Sequence, residues 1–461
     1  MSMTRRDFIR YTQAAGLFFS TASFNNLAAA YTSNAGLKLV PDTDRLLDLP
    51  KGFSYTVVSV TGEPMADGFL RPGRPDGMAC FPHPQESHKC ILLRNHENWP
   101  DTVEGSPFGT DNALLGRVPA GKLYDRKANG QPFIGGVTKV VYDLRNKKLE
   151  EDYLVLTGTA GNCAGGPTPW GSWLSCEESA VTPKDGAGKT HGWVFEVPAS
   201  ATGLVDPVPL KAMGRFAHEA TAVDPASGIV YLTEDNRTGL FYRFMPTVKG
   251  ELAKGGRLQA LVIKEWPSAD TRNWPHDWGG AGFGTIETGK VMDVEWIDVE
   301  DVEAPDGDLA ARGHAAGAAR FCRGEGVAWA AQGDGGDVYF NCTQGGAQRV
   351  GQIWRYSPAG QQVQLVYESS GADVLDNCDN LAVAPWGDLV ICEDGFGEQY
   401  MRGLRPDGTL YDLARNAHSQ KSEFCGACFS PDGSVLFVNI QEPGITLAIT
   451  GPWDSLRSKS A

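Results

Sequence analysis

A short apolar run that ends on a polar or acidic group recurs along this chain, and it limits the possible folds more than any other feature. Cys90-Ile91-Leu92-Leu93-Arg94-Asn95-His96-Glu97 is one instance and Trp173-Leu174-Ser175-Cys176-Glu177-Glu178 another. Val230 to Asp235, Val338 to Thr343, Leu389 to Asp394 and Val435 to Gln441 repeat the pattern. Turn signals such as Asp407-Gly408 and Pro431-Asp432-Gly433 bound these runs, and 56 glycines and 28 prolines leave hardly any segment with a helical period. Such runs read as strands, so the chain is predicted to be all-β. One supersecondary unit repeated at similar spacing is the pattern of a β-propeller, which has roughly four to eight blades. The count of runs predicts about six blades with long inserted loops, and a double-sheet sandwich is the alternative. The stretches 268–284 and 298–317 read as such loops.

In a propeller the equivalent strand ends converge on one mouth of a central channel. Here that would gather Glu97, Glu177, Glu178, Glu234, Asp235, Glu393 and Asp394. Taken singly, each is an ordinary solvated turn acid. Taken together they repel, and the set is tolerable only if cations neutralise it, which points to metal binding.

Four further motifs add to this rim. Cys163 lies among glycines in Gly161-Asn162-Cys163-Ala164-Gly165-Gly166, a poor core environment but a suitable one for a thiolate that binds a transition metal. Phe216-Ala217-His218-Glu219 sets two ligand-type residues side by side. In Cys322-Arg323-Gly324-Glu325-Gly326, alternation sends Arg323 and Glu325 to one face. A guanidinium beside a metal-binding carboxylate suits an oxyanion that bridges the two, although a plain ion pair has the same pattern. Asp376-Asn377-Cys378-Asp379-Asn380 offers oxygens that suit calcium, or a polar turn. There is no GxSxG elbow, Walker loop, HExxH or dinucleotide-binding GxGxxG.

The N-terminus addresses location. Arg5 and Arg6 precede the short apolar stretch Ala14 to Phe19, and Ala28-Ala29-Ala30 follows as a small-residue cleavage site. The apolar stretch is too short for a stable span, which takes roughly 20 residues. Residues 1–30 therefore read as a twin-arginine signal peptide, whose export machinery carries folded, cofactor-loaded cargo. Residues 31–461 read as a single propeller domain, periplasmic or secreted and without a stable membrane anchor. The net charge of −15 argues against nucleic acid and anionic membranes as partners. Ten cysteines in an exported chain invite a disulfide reading, but a chain of 461 residues needs no staples. Buried free thiols are expected, with Cys80–Cys90 and Cys425–Cys428 as the pairs that could close.

At these motifs the sequence resembles the PhoX-type alkaline phosphatases. The likeness rests on the twin-arginine start, Asn162 to Glu178, Phe216-Ala217-His218-Glu219, Arg323-Gly324-Glu325-Gly326, Asp379-Asn380-Leu381 and Cys392-Glu393-Asp394-Gly395. It continues through Phe429 to Gly433, Phe437 to Gln441 and Gly451-Pro452-Trp453. The resemblance implies a propeller phosphomonoesterase that hydrolyses small phosphate esters at a mixed Fe3+ and Ca2+ cluster. It implies Cys163 as an iron ligand, Arg323 as the catalytic, phosphate-holding residue and Asn162 as a second substrate contact. Glu178, Glu219, Glu325, Asp379, Glu393 and Asp394 are the carboxylates expected to complete the metal set. Two other readings stay open at this level: a calcium-dependent propeller hydrolase such as a lactonase or phosphotriesterase, and a non-catalytic binding propeller.

Overall fold

The computed structural model describes residues 37–275, 285–333 and 335–456. Arg5, Arg6 and the cleavage site lie outside the described residues, as do residues 276–284 of the stretch 268–284. The chain is all-β, and its strands follow one another as antiparallel meanders. The first runs through Pro75–Pro82, Lys89–His96, Gly135–Asp143 and Lys148–Thr159, and the second through Asn162–Pro167, Ser172–Glu177 and Val194–Pro198. His218–Val223 opens the third, Gly324–Gln332 the fourth, Cys378–Val383 the fifth and Phe424–Phe429 the last.

These opening strands are the innermost ones. Each packs against the opening strand of the meander before it and of the one after it, and the last packs on the first, so they enclose a channel. The closure is mixed-terminal. Ile445–Thr450, near the C-terminus, pairs with Ser54–Val60 from near the N-terminus, in the register Ile445↔Val60 to Thr450↔Ser54. Pairing of these two segments within a single sheet ties the last meander to the strand that precedes the first, and so closes the ring. This is a propeller-like arrangement, as the recurring strands predict.

Hydrogen bonding differs from six separate sheets. It gathers the strands into five sheets of six, three, nine, four and four strands. The nine-stranded sheet arises because Val291–Asp298 pairs on one side with Gly256–Ile263 and on the other with Gln362–Glu368, which fuses two meanders at their outer edges. The predicted loop 298–317 is also corrected, because it contains a helix, Leu309–Ala315, whose Leu309 is buried against Phe244 and Leu258.

The core lies between the sheets. The apolar runs are buried on both faces, as expected of strands sandwiched on both sides. Leu174, Val230, Leu232 and Tyr242 fill one interval, and Phe241, Phe340, Trp354 and Tyr356 another. Phe241 and Phe340 stack with ring centroids 4.1 Å apart across two meanders. Each fully buried side chain of this size contributes roughly 1.5–3 kcal/mol. All ten cysteines are free, so neither candidate disulfide is formed, and Cys425 Sγ instead donates to the Pro75 carbonyl oxygen at 3.0 Å. Among the described residues no helix is long and apolar enough to cross a membrane.

Candidate active site

The mouth of the channel is built from one local device used in every meander. The first residue of each innermost strand pairs with the last residue of its neighbour: Pro75↔His96, Asn162↔Glu177, His218↔Glu234, Gly324↔Cys342, Cys378↔Glu393 and Phe424↔Ile440. In five of the six meanders the register shifts by a β-bulge immediately after that pair, and in the last it shifts one residue later, after Cys425↔Asn439. A bulge re-aims the side chain it contains and sharpens the local twist. The bulged residues include Asp76, Cys163, Glu219, Glu325 and Asp379.

A second repeated bond completes the device. The residue after each second strand donates its backbone N–H to the carbonyl of the residue before the innermost strand: Glu97 to Arg74, Glu178 to Gly161, Asp235 to Ala217, Thr343 to Arg323, Asp394 to Asn377 and Gln441 to Glu423. Strand alternation then separates neighbouring acids. Glu177, Glu234 and Glu393, the last residues of their strands, turn into the walls, while Glu178, Asp235 and Asp394 turn to the channel.

Two groups of ligand-type atoms result. Cys163 Sγ lies 3.0 Å from Glu178 Oε2 and 3.4 Å from Glu97 Oε1. Glu219, Glu325 and Asp379 form the second group, and within each group the ligand atoms lie within 4.8 Å of one another. The groups touch, because the backbone N–H of Ala164 donates to Glu219 Oε1 at 3.2 Å. Asp76 lines the same space, held by Gly77 N–H at 2.6 Å and Gln441 Nε2 at 2.9 Å.

The electrostatics follow from this crowding. Burial, followed by the charges of neighbouring acids, pushes the carboxyls of Asp76, Glu178, Glu219, Glu325 and Glu423 well above the usual carboxylate range. Burial raises Asp379 to about 6, and desolvation at the channel mouth with the Asp379 charge raises Asp394 to about 7. Burial and the Glu219, Glu178 and Glu97 charges push the Cys163 thiol well up too. Acids so arranged take up protons or bind cations. A thiol with carboxylates suits a transition metal, and an all-oxygen group suits calcium, so the donor set fits both ions of the sequence-level expectation.

Arg323 sits at the edge of the second group. Its Nε and Nη2 donate to the two oxygens of Asp235, both at 2.7 Å, and Nη2 also reaches Glu325 Oε1 at 2.9 Å. Among the described residues its Nη1 makes no hydrogen bond. Three other expected residues lie elsewhere. Asn162 is fully buried, where its amide donates to Ser175 Oγ at 2.9 Å and its oxygen accepts from Thr159 Oγ1 at 2.6 Å, so both ends of its side chain are engaged inside the protein. Glu393 binds Arg402 Nε at 2.8 Å and the backbone N–H groups of Asp376 and Tyr400, and so serves the wall rather than the channel. His218 does not join Glu219 in the group. It stacks on Phe216 at 3.6 Å and binds the Gly214 carbonyl, and burial holds it neutral, with a pKa lowered to about 3.

The profile of alkaline phosphatase PhoX matches residues 35–112 and 121–444. This chain belongs to the PhoX alkaline phosphatase family. It is accordingly a hydrolase of phosphoric monoesters, acting on small phosphate esters, and its family is metal-dependent. Among solved structures, Pseudomonas fluorescens PhoX in complex with vanadate, a transition state analogue, aligns over 90% of this chain and 98% of its own at 19% identity, with a TM-score of 0.65. That likeness shows the fold. A putative gluconolactonase aligns over 90% of this chain and 98% of its own at 12% identity with a TM-score of 0.40, too low to inform the comparison. No curated protein matches.

Within this PhoX-family chain, two channel acids went unnamed in the sequence reading, Asp76 and Glu423, while Glu97 entered it only as one of the rim acids. Asp76 carried a usable signal. Arg74-Pro75-Asp76-Gly77 repeats the order arginine, any residue, acid, glycine of Arg323-Gly324-Glu325-Gly326. The glycine is a packing requirement in both. A Cβ at Gly77 would lie 2.5 Å from Ala164 Cα, and one at Gly326 would lie 2.5 Å from Leu381 N. Glu423 had no comparable signal, because it stands before its strand rather than within it.

Proposed function

We propose that the phosphomonoesterase activity of this chain depends on a mixed Fe3+ and Ca2+ centre in the channel. The observation that carries this reading is a cysteine thiol amid carboxylates, Cys163 with Glu178 and Glu97, directly beside an all-carboxylate group. Cys163, Glu178 and Glu97 would hold iron. Glu219, Glu325 and Asp379 would hold the adjoining ions, with Asp76, Asp394 and Glu423 supplying further oxygens for calcium. Metal ions bound there supply Lewis acidity toward the phosphoryl oxygens and lower the pKa of water.

The protein's own groups do the rest. Arg323 binds the phosphoryl oxygens through its uncommitted Nη1. The paired hydrogen bonds to Asp235 fix the plane of the guanidinium, so little side-chain freedom is lost when the ester binds. Burial disfavours the charge on Arg323, but Asp235 and Glu325 outweigh it and hold the group cationic.

Export as a folded, metal-loaded protein fits this assembly, since its ligands come from separate meanders and meet only in the folded chain. We assign residues 1–30 to a twin-arginine signal, residues 31–461 to one propeller domain of six blades, and the mature protein to the periplasm or exterior. Elemental analysis of the purified protein, with a phosphomonoester assay before and after chelation, tests the centre. Iron and calcium together, and activity lost on chelation, are expected. Calcium without iron would remove Cys163 from the ligand set and make the enzyme a calcium-only hydrolase.

A further inference from the structure

Arg323 has a structural equivalent. Arg74 also stands immediately before an innermost strand, two residues ahead of a channel acid, and its carbonyl accepts the N–H of Glu97 as that of Arg323 accepts the N–H of Thr343. Both residues take the uncommon left-handed backbone conformation, φ 48° at Arg74 and 52° at Arg323. Both side chains are partly open to solvent, 30% and 27%. Each guanidinium bridges two carboxylates: Arg323 bridges Asp235 and Glu325, and Arg74 bridges Glu97 at 3.4 Å and Glu442 at 2.7 Å. The other residues in this position are Gly161, Ala217, Asn377 and Glu423, none of them cationic.

Their strands lie on opposite sides of the channel. Going round the ring of innermost strands, Pro75–Pro82 and Gly324–Gln332 are separated by Asn162–Pro167 and His218–Val223 one way, and by Cys378–Val383 and Phe424–Phe429 the other. Arg74 therefore faces the mouth from across Arg323. Its hold on its partners is also weaker. Glu442 is half-exposed, so that ion pair contributes little and is open to exchange. Its contact with Glu97 is long, and a cation on Glu97 would compete with it. Among the described residues the buried Arg74 Nε has no hydrogen-bond partner, so the group has donor capacity to spare.

We propose that Arg74 is a second anion-binding residue, which contacts an anionic group on the leaving part of the ester while Arg323 holds the transferred phosphoryl group. This rests on the phosphatase reading of the same site. The preferred substrates are then phosphomonoesters whose leaving group carries a negative charge of its own, such as sugar bisphosphates or nucleoside 3′,5′-bisphosphates, over esters of neutral alcohols or phenols.

The metal-loaded enzyme and its Arg74→Gln and Arg74→Lys variants test this with three measurements. These are kcat/KM for adenosine 3′,5′-bisphosphate and for a sugar bisphosphate, kcat/KM for p-nitrophenyl phosphate, and competitive inhibition by inorganic phosphate, with metal content checked in each protein. For Arg74→Gln a fall of roughly 10- to 100-fold is expected on the doubly anionic esters, the size of one charge-assisted hydrogen bond. Activity on p-nitrophenyl phosphate and the inhibition constant for phosphate should stay unchanged, and Arg74→Lys should recover part of the loss. An equal fall on all esters with a raised phosphate inhibition constant would place Arg74 on the transferred phosphoryl group and overturn the assignment. No kinetic change, or a loss that follows metal content, would reduce Arg74 to a counter-ion of Glu97 and overturn it as well. A wild-type enzyme that hydrolyses none of these esters would instead sink the phosphatase reading itself.

Discussion

Cys163 and Glu178 stand fifteen residues apart in sequence, yet Sγ of one lies 3.0 Å from Oε2 of the other. The contact exists because the bulge after Asn162 turns Cys163 into the channel while the antiparallel neighbour ends one residue before Glu178. A thiol and an acid this close share one cation more readily than either binds it alone.

Cys163→Ser is therefore expected to lose iron while keeping calcium and a cooperative thermal transition. Serine fills nearly the same volume, so packing is not at issue, but its hydroxyl is a poor ligand for a transition metal at neutral pH. Elemental analysis decides it, and full iron occupancy in the variant would remove Cys163 from the ligand set.

Arg323→Ala is expected to raise KM for phosphate esters and to lower kcat by roughly 10²–10³-fold, the cost of one preorganised donor at a developing charge. Metal content should stay normal, because Asp235 and Glu325 keep their backbone positions. Unchanged steady-state kinetics on p-nitrophenyl phosphate would place Arg323 outside the substrate site.

The recurring apolar runs made the propeller legible, since a buried strand needs only its own pattern to declare itself. The fusion of two meanders through Val291–Asp298 was not legible, because edge pairing depends on where outer strands meet in space. At the site, residue types were readable and directions were not. Glu177 and Glu178 are identical as residues, and only the register Asn162↔Glu177 decides that the second faces Cys163. The same holds for Glu393 and Asp394 through Cys378↔Glu393. Arg323 and Asp235 are 88 residues apart, so their paired hydrogen bonds leave no trace in local sequence.

That direction yields a contrast between neighbours. Glu393→Gln should leave iron and calcium content intact and lower stability, because its carboxylate holds the buried Arg402 side chain and two backbone N–H groups. Breaking a buried ion pair by removing one partner costs on the order of 3–5 kcal/mol. Asp394→Asn should do the reverse, reducing calcium content with little change in Tm. Metal loss in the Glu393 variant, with none in the Asp394 variant, would reverse the assignment of the two acids.

The innermost strands approach too closely at Gly326 for any side chain. A Cβ there would sit 2.5 Å from Leu381 N and 2.7 Å from Asp379 O. Both atoms are backbone, so the strands must part. Gly326→Val is expected to lower Tm and, by separating Glu325 from Asp379, to lower metal content as well. A variant with wild-type metal content would mean that the group tolerates a wider ring.

His191 supplies the pH dependence. It is fully buried between Glu177 Oε1 at 2.6 Å and Asp125 Oδ2 at 3.1 Å, one acid on each ring nitrogen, an arrangement that suits the imidazolium. Burial opposes the charge, but the Glu177 and Asp125 carboxylates outweigh it and raise the pKa to about 9. The folded value thus exceeds the unfolded one of roughly 6.5. The stabilisation is complete below about pH 6.5 and is lost as pH rises through about 9, and its size is on the order of 3 kcal/mol. His191→Gln should be destabilised most at pH 6, and its deficit in Tm against the wild type should shrink steadily toward pH 10. Glu177 precedes the channel acid Glu178, so the same variant should also lose metal affinity mainly at the acidic end of that range. A deficit in Tm that stays constant from pH 6 to 10 would mean that His191 is neutral in the folded protein and that Glu177 is held by its backbone donors alone.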